Sequence, residues 1–297
     1  MYNIKHNQES GLLEVENPAA NVYAKIYLND GASMQELTLN GHAIIKDLTP
    51  LSYADTYASS ILFPFANRIK DGKYAFKGED FQFEANQKEE NNALHGLVYN
   101  KTFAVIDSTS NEDSASVKLE YNETNESQGF PYLYNIQLEY IFSNEDFELK
   151  VTVKNTDAKP FPFTLGWHPY FLSSNLYDSL LQLNSTSKLV LGDRNITTGT
   201  MKTDTTLPIK IAGQQLDDCW VLNSDEVVFH TPNYKLKFNA TGDNNFLQVY
   251  TPPKVNTIAI EPTTGVSDSF NNEIGLKVLK AGETCAITWS LNIKNNN

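Results

Sequence analysis

The stretch from Tyr134 to Lys154 reads YNIQLEYIFSNEDFELKVTVK. Tyr134, Ile136, Leu138, Tyr140 and Phe142 alternate with Asn135, Gln137, Glu139 and Ile141. A polar run, Ser143 to Asp146, interrupts the pattern. Phe147, Leu149, Val151 and Val153 then alternate with Glu148, Lys150, Thr152 and Lys154. Period-two alternation on both sides of a polar turn predicts a β-hairpin with one buried face.

The same signal recurs outward from this hairpin. Val117-Leu119-Tyr121 and Leu236-Phe238 alternate, Leu247–Tyr250 and Ile258–Ile260 read as strands, and Val278 and the 286–291 stretch predict a closing C-terminal strand. Turn signals follow at short intervals: Asn29-Asp30-Gly31, Asn40-Gly41, Asp71-Gly72 and Lys77-Gly78. No sustained apolar spacing of three and four residues with caps at both ends is found, and one short helix is expected around Ser52–Ser60. Many strands with frequent turns imply an all-β fold, a large antiparallel β-sandwich with few short helices. No Pro/Gly/Ser-rich linker or repeat divides residues 1–297, so one domain is expected, with the Asn-rich tail after Lys294 frayed.

Composition narrows the function classes. Fifteen Tyr and sixteen Phe favour pleated surfaces. Lys plus Arg number 23 and Asp plus Glu 36, a formal charge of −13. Such a surface opposes nucleic-acid binding, which needs Lys/Arg stripes, and opposes an anionic membrane surface. It suits a neutral small molecule. The two cysteines, Cys219 and Cys285, form no CxxC pair. The opening MYNIKHNQES has no signal-peptide pattern, and no apolar run reaches membrane-spanning length. A cytoplasmic location with reduced thiols is the expectation.

Among five histidines, His95 and His168 stand in unusual company. His95 precedes Gly96, which permits close backbone approach. His168 precedes Pro169, which holds it on extended backbone. On local sequence alone, each reads first as an ordinary polar residue at a strand end. His6 and His42 read as surface or turn residues, and His230, beside an apolar run, as structural. Glu261 follows the apolar run Ile258-Ala259-Ile260 and precedes Pro262, which lacks an N–H and is expected to end the ladder. Apolar neighbours can tune a carboxylate toward base work; alone, Glu261 reads as well as a rim carboxylate in water. Arg68, after Phe63-Pro64-Phe65-Ala66-Asn67, offers a fork for a polar ligand or a cation–π contact. Asp217-Asp218 lies just before Trp220, an arrangement of acids to take hydroxyls and a ring to stack a sugar, or an ordinary loop.

Taken in order along the chain, these motifs resemble the aldose 1-epimerase (galactose mutarotase-like) family. The resemblance covers nearly the whole chain: Gly31-Ala32-Ser33; Asn67-Arg68-Ile69 with Gly72 and Tyr74; Leu94-His95-Gly96; Gly129-Phe130-Pro131; His168-Pro169-Tyr170-Phe171; Asp217 with Trp220; Gln248-Val249-Tyr250-Thr251; and Glu261-Pro262-Thr263 with Asp268 and Phe270. It implies Glu261 as general base toward the anomeric hydroxyl and His168 as general acid toward the ring oxygen; one proton taken and one given on neighbouring oxygens suits a carboxylate and an imidazole on opposite sides of the pocket. It further implies His95 as a second histidine near that oxygen, and Arg68, Asn67, Asp217 and Gln248 as hydroxyl-binding residues. Asp218 remains an alternative to Asp217. No GxGxxG loop and no metal-ligand His/Cys spacing occurs, so neither cofactor nor metal is expected. A sugar substrate and a monomer or homodimer complete the reading. Lys70 and Lys73 keep open a hexose-6-phosphate 1-epimerase, and loss of the acid/base pair would leave a non-catalytic carbohydrate-binding sandwich. A hydrolase needs a second carboxylate, for which no partner to Glu261 stands out.

Overall fold

A computed structural model of the protein describes residues 1–203, 208–243 and 245–296. The hairpin lies in the middle of its largest sheet. Strand Tyr134–Phe142 pairs antiparallel with Asp146–Asn155, with Tyr140 opposite Leu149 and Phe142 opposite Phe147. All nine alternating apolar side chains, from Tyr134 to Val153, are fully buried. On the outer face Glu139 stands opposite Lys150, so the polar half of the alternation faces solvent with charges of opposite sign. Seven further strands extend this sheet, in the order Ala104–Ser110, Ala115–Glu123, the hairpin, Thr284–Asn295, Tyr234–Ala240, Val227–His230, Leu180–Gln182 and Ile209–Lys210. The 286–291 part of the expected closing strand is therefore present, and longer than its sequence signal, whereas Val278 lies on a separate strand, Lys277–Leu279, paired with Phe161–Phe163. Asn295 pairs with Tyr234, and the Asn296 amide donates to the Thr231 and Pro232 carbonyls at 2.7 and 2.9 Å. The tail is thus tied through Asn296 rather than frayed after Lys294.

An N-terminal five-stranded meander spans Asn3–Asn7 to His42–Ile45. A third sheet of eight strands carries the later apolar runs. Its order is Thr197–Lys202, Ser187–Leu191, Asp217–Val221, Phe246–Tyr250, Thr257–Thr263, Gly166–Trp167 and Ile61–Leu62, with Tyr170–Leu172 also paired to Thr257–Thr263. One continuous apolar core takes side chains from all three sheets, among them Val15, Leu138, Trp167 and Ile258. The expected helix is a single turn, Tyr53–Thr56. The Ser52 hydroxyl caps it, accepting from the Asp55 N–H, and Tyr57 at φ 50° stops it. Among the described residues no helix is long and apolar enough to cross a membrane.

Pro262 does not end its ladder. Strand Thr257–Thr263 pairs with Phe246–Tyr250 across Leu247 opposite Pro262 to Phe246 opposite Thr263. The interruption falls on the other side of the strand, where the partner is broken in two. Tyr170–Leu172 pairs at Ala259 and Gly166–Trp167 at Thr263, with His168-Pro169 between them. Proline is tolerated where a ladder is already broken.

Tyr140 links two sheets. Its buried hydroxyl donates to the Ala32 carbonyl at 2.7 Å. Ala32 sits at φ 53°, a conformation uncommon for a residue with a Cβ, in the turn leading into strand Ser33–Leu39. Replacing Tyr140 with Phe removes this donor from a buried carbonyl. The expected cost is about 1–3 kcal/mol, read as a lower urea midpoint with an unchanged slope.

Candidate active site

The seven side chains singled out in the sequence come from six separate segments. Asn67, Arg68, His95, His168, Asp217, Gln248 and Glu261 all line one cleft of about 310 Å³. Glu261 lies in strand Thr257–Thr263, directly opposite Gln248, and Gln248 in turn lies opposite Cys219. Asp217 is opposite Tyr250 two positions along. The sheet register thus brings Glu261, Gln248 and Asp217 together across three neighbouring strands.

His168 occupies the break between Gly166–Trp167 and Tyr170–Leu172. Its backbone is fixed from both sides: its N–H donates to the Ser60 carbonyl at 3.0 Å, and its carbonyl accepts from Ser59 at 2.7 Å. Its Nε2 stands 3.4 Å from Glu261 Oε1, and both side chains are almost wholly buried. The two groups are therefore neighbours in the wall of the cleft, not facing partners across it. Both reach the wall from one split strand pairing, which sets them side by side.

His95 follows strand Asn92–Leu94 in left-handed backbone, φ 62°, and its N–H donates to the carbonyl of Asn67, itself at φ 60°. Two non-glycine residues in this region, facing one another at a cleft, are strain of the kind that collects at functional sites. Gly96 explains the close approach behind them. At φ 75° it lies so near Phe63 that a Cβ would stand 2.2 Å from that carbonyl oxygen. The His95 ring packs edge-on to His168, centroids 5.0 Å apart, and to Tyr57 at 4.9 Å.

Burial sets the proton affinities. Desolvation, helped by the negative charge of Asp217, raises Glu261 well above the usual carboxylate range, while Arg68 opposes it. Desolvation pushes His168 down to about 4. Desolvation also holds His95 well below its ordinary value, and His168 and Arg68 add to the shift. Neither imidazole finds a hydrogen-bond partner for its buried Nδ1 among the described residues. An imidazolium would leave an N–H unpaired there, so burial disfavours the charged form of both rings. The result is a carboxyl that holds a proton more tightly than usual, beside an imidazole that holds one less tightly.

The polar rim is organised around this pair. Arg68 Nη1 donates to Asn67 Oδ1 at 2.9 Å, and its Nε donates to Gln87 at 3.1 Å and Glu90 at 3.2 Å. The guanidinium is thus a held fork, and no cation–π contact of Arg68 occurs among the described residues. Gln248 Nε2 donates to Asp217 Oδ1 at 2.8 Å. Strand alternation separates the acid pair: Asp217 faces the cleft, while Asp218 is ion-paired with Lys188. Trp220 does not offer a stacking face, because it is buried in the core with Lys188 over its ring. Lys70 and Lys73 do not line the cleft. His42 and His230 are bonded to Asn295 and Gln182, away from it.

Further lining residues escape the sequence reading. Tyr170 stacks on His168 with centroids 5.0 Å apart and its hydroxyl donating to the Thr56 carbonyl. Tyr250 lies two residues from Gln248, the period of one strand face, so the alternation rule alone would find it. Asp55, Tyr57 and Gln87 sit on one-turn or loop segments with no periodic signal.

Comparison with known proteins agrees with this architecture. The aldose 1-epimerase family model matches residues 12–292. The uncharacterized protein YihR of Escherichia coli K12 is 25% identical over 278 residues, covering 89% of this chain and 88% of its own. A galactose mutarotase-like protein from Clostridium acetobutylicum superposes with TM-score 0.87 at 18% identity, over 100% of this chain and 99% of that one. The galactose 1-epimerase of Lactobacillus acidophilus does so with TM-score 0.82, also at 18% identity, over 100% and 99%. These last two likenesses speak for the fold, and the family match spans almost the entire chain: it belongs to the aldose 1-epimerase family.

Proposed function

We propose that the protein is an aldose 1-epimerase that interconverts the α and β anomers of a free hexose by acid/base ring opening. The observation that carries this reading is the buried Glu261–His168 contact, 3.4 Å long, whose members are displaced in opposite directions in proton affinity. Ring opening removes a proton from the anomeric hydroxyl and delivers one to the ring oxygen. Those two oxygens share one carbon, so the acid and the base must also be close together.

Glu261 as carboxylate takes the hydroxyl proton, and His168, entering the step as imidazolium, gives one to the ring oxygen. The bond between the anomeric carbon and the ring oxygen breaks, leaving an open-chain aldehyde. Rotation about the adjacent carbon–carbon bond presents the other carbonyl face, and both transfers reverse. The step leaves Glu261 protonated and His168 neutral, the two forms that burial favours. The cleft therefore stabilises the opened stage relative to the closed one, which is where catalysis needs it. His95 supports the transfer at the ring oxygen, while Arg68, Asn67, Asp217 and Gln248 hold hydroxyls.

A phosphorylated hexose is the weaker reading. The cleft lining includes three carboxylates, Asp55, Asp217 and Glu261. Its sole Lys or Arg side chain among the described residues is Arg68, already paired with Glu90 at 3.2 Å. A dianionic phosphate would meet net negative charge there.

Polarimetry on freshly dissolved α-D-glucose and α-D-galactose tests the proposal. The protein should speed relaxation to the spontaneous end point. Glu261→Gln and His168→Asn should each lower kcat by about 10²–10⁴-fold, and unchanged relaxation in both would overturn the assigned roles. The rate should pass through a maximum in pH, falling at high pH as the pair loses its single proton and at low pH as it takes up a second one.

The same Glu261→Gln change should stabilise the fold. A carboxyl whose folded value lies above its unfolded one costs nothing at low pH and increasingly more as pH rises past 4.5. Gln carries no such cost. The variant is expected to unfold at higher urea than wild type at pH 8, with the gap closing as pH drops toward 4.5; a wild-type advantage at pH 8 would contradict the burial argument.

A further inference from the structure

Behind Arg68 stands a second layer of polar side chains that the ring-opening chemistry does not itself use. Arg68 belongs to the short strand Arg68–Lys70, paired with Asn92–Leu94. The loop joining that pairing folds back so that Gln87 and Asn92 exchange backbone hydrogen bonds at 3.1 and 3.2 Å. This places Glu90 Oε2 3.2 Å from Arg68 Nε. Glu90 is itself held. Asn92 donates to its Oε2 at 3.4 Å, and Asn195, from the remote turn Asp193–Asn195, donates to its Oε1 at 3.3 Å. That turn is anchored in its place: Arg194 donates to the Glu90 carbonyl at 3.1 Å and to Asp71 at 2.9 Å. Arg194 and Asn195 both adopt left-handed backbone, φ 59° and 58°, so the clasp is made at a cost in local strain.

Arg68 acts on the reacting pair through its charge as well as its hydrogen bonds. The groups around Glu261 come from three sides of the cleft: His168 and Tyr170 from the split strand, Asp217 and Cys219 from Asp217–Val221, and Arg68 from Arg68–Lys70; of these, the charges of Asp217 and Arg68 shift its proton affinity. Arg68 is the member that lowers the Glu261 proton affinity. Glu90, partly buried beside Arg68, offsets that positive charge.

We infer that Glu90 is a positioning residue for ring opening, fixing the Arg68 fork and moderating its charge beside Glu261. The inference rests on the anomer-exchange reading for its kinetic consequences, but not for the positioning itself. Glu90 lies outside the cleft lining.

The test exploits the chain's two arginines, Arg68 and Arg194. Arginine-selective ¹⁵N labelling yields two Nε–H signals, assigned by Arg68→Lys. In Glu90→Ala the Arg68 signal should shift and exchange faster with solvent, and Glu90→Gln, which keeps an acceptor, should retain most of its protection. In polarimetric kinetics Glu90→Ala should raise KM about tenfold with a smaller change in kcat. Glu90→Gln should restore KM to within about threefold yet move the alkaline limb of the pH profile to lower pH, because Arg68 then acts on Glu261 uncompensated. A general loss of folding would not split KM from pH dependence in this way. An Arg68 signal unchanged in Glu90→Ala overturns the positioning. Wild-type KM and pH profile in both variants overturns the coupling to Glu261. Absence of anomer exchange in the wild type would refute the functional reading alone, since the spectra still decide whether Glu90 holds Arg68.

Discussion

A carboxyl and an imidazole lie in contact, both buried, at a break in an eight-stranded sheet. Burying ionisable groups is expensive unless they neutralise one another or change protonation. Here the raised carboxyl and the lowered imidazole do the latter, and the rest of the site can be read as what makes that burial possible. The pairing of Thr257–Thr263 with Phe246–Tyr250 runs unbroken past Glu261, so the carboxylate stands on continuous sheet. Opposite it the other neighbour is split, which releases His168 from the ladder while its backbone is still bonded to Ser59 and Ser60. One continuous edge and one broken edge on the same strand produce the contact.

The surrounding loops are held in conformations that side chains seldom adopt. Tyr57, Asn67 and His95 all have positive φ and all line the cleft. Each is fixed by its surroundings: Asn67 and His95 by their mutual backbone bond, and Tyr57 by the Asn86 amide and by the rings of His95 and Tyr99. Such strain persists only where neighbours over-determine the geometry. The large aromatic core, which the Tyr and Phe content already suggests, is what supplies that rigidity.

The fold is legible in the sequence because its strands alternate. Tyr134 to Val153 can be assigned to a hairpin, a register and a buried face from composition and period alone. Glu261 and Gln248 are legible as members of apolar strands, but their pairing is not, since register between strands distant in the sequence is a tertiary property. The same limit explains Pro262, whose missing N–H suggests a ladder's end when only one strand is in view. Trp220 misleads for a related reason: proximity to an acid pair in sequence says nothing about which face it takes, and on this strand it takes the core. Glu90 and Asn195 carry no local pattern at all, being loop residues joined only by the fold.

Proton exchange on adjacent oxygens asks for a base that is neither so weak that it stays ionised without effect nor so strong that it never releases its proton. Burial alone would drive Glu261 too far toward the protonated form, and Asp217 pushes in the same direction. Arg68 pushes back, and its own charge is partly cancelled by Glu90. One negative group and one positive one, carried on different segments, thus pull a single proton affinity in opposite directions, and on the inference above Glu90 moderates the positive one. This accounts for contributions from segments spread between Asn67 and Glu261: opposing charges cannot all be placed on one strand face, where alternation and register dictate spacing. A β-sandwich supplies separate edges and loops from which each charge can be positioned independently of the others.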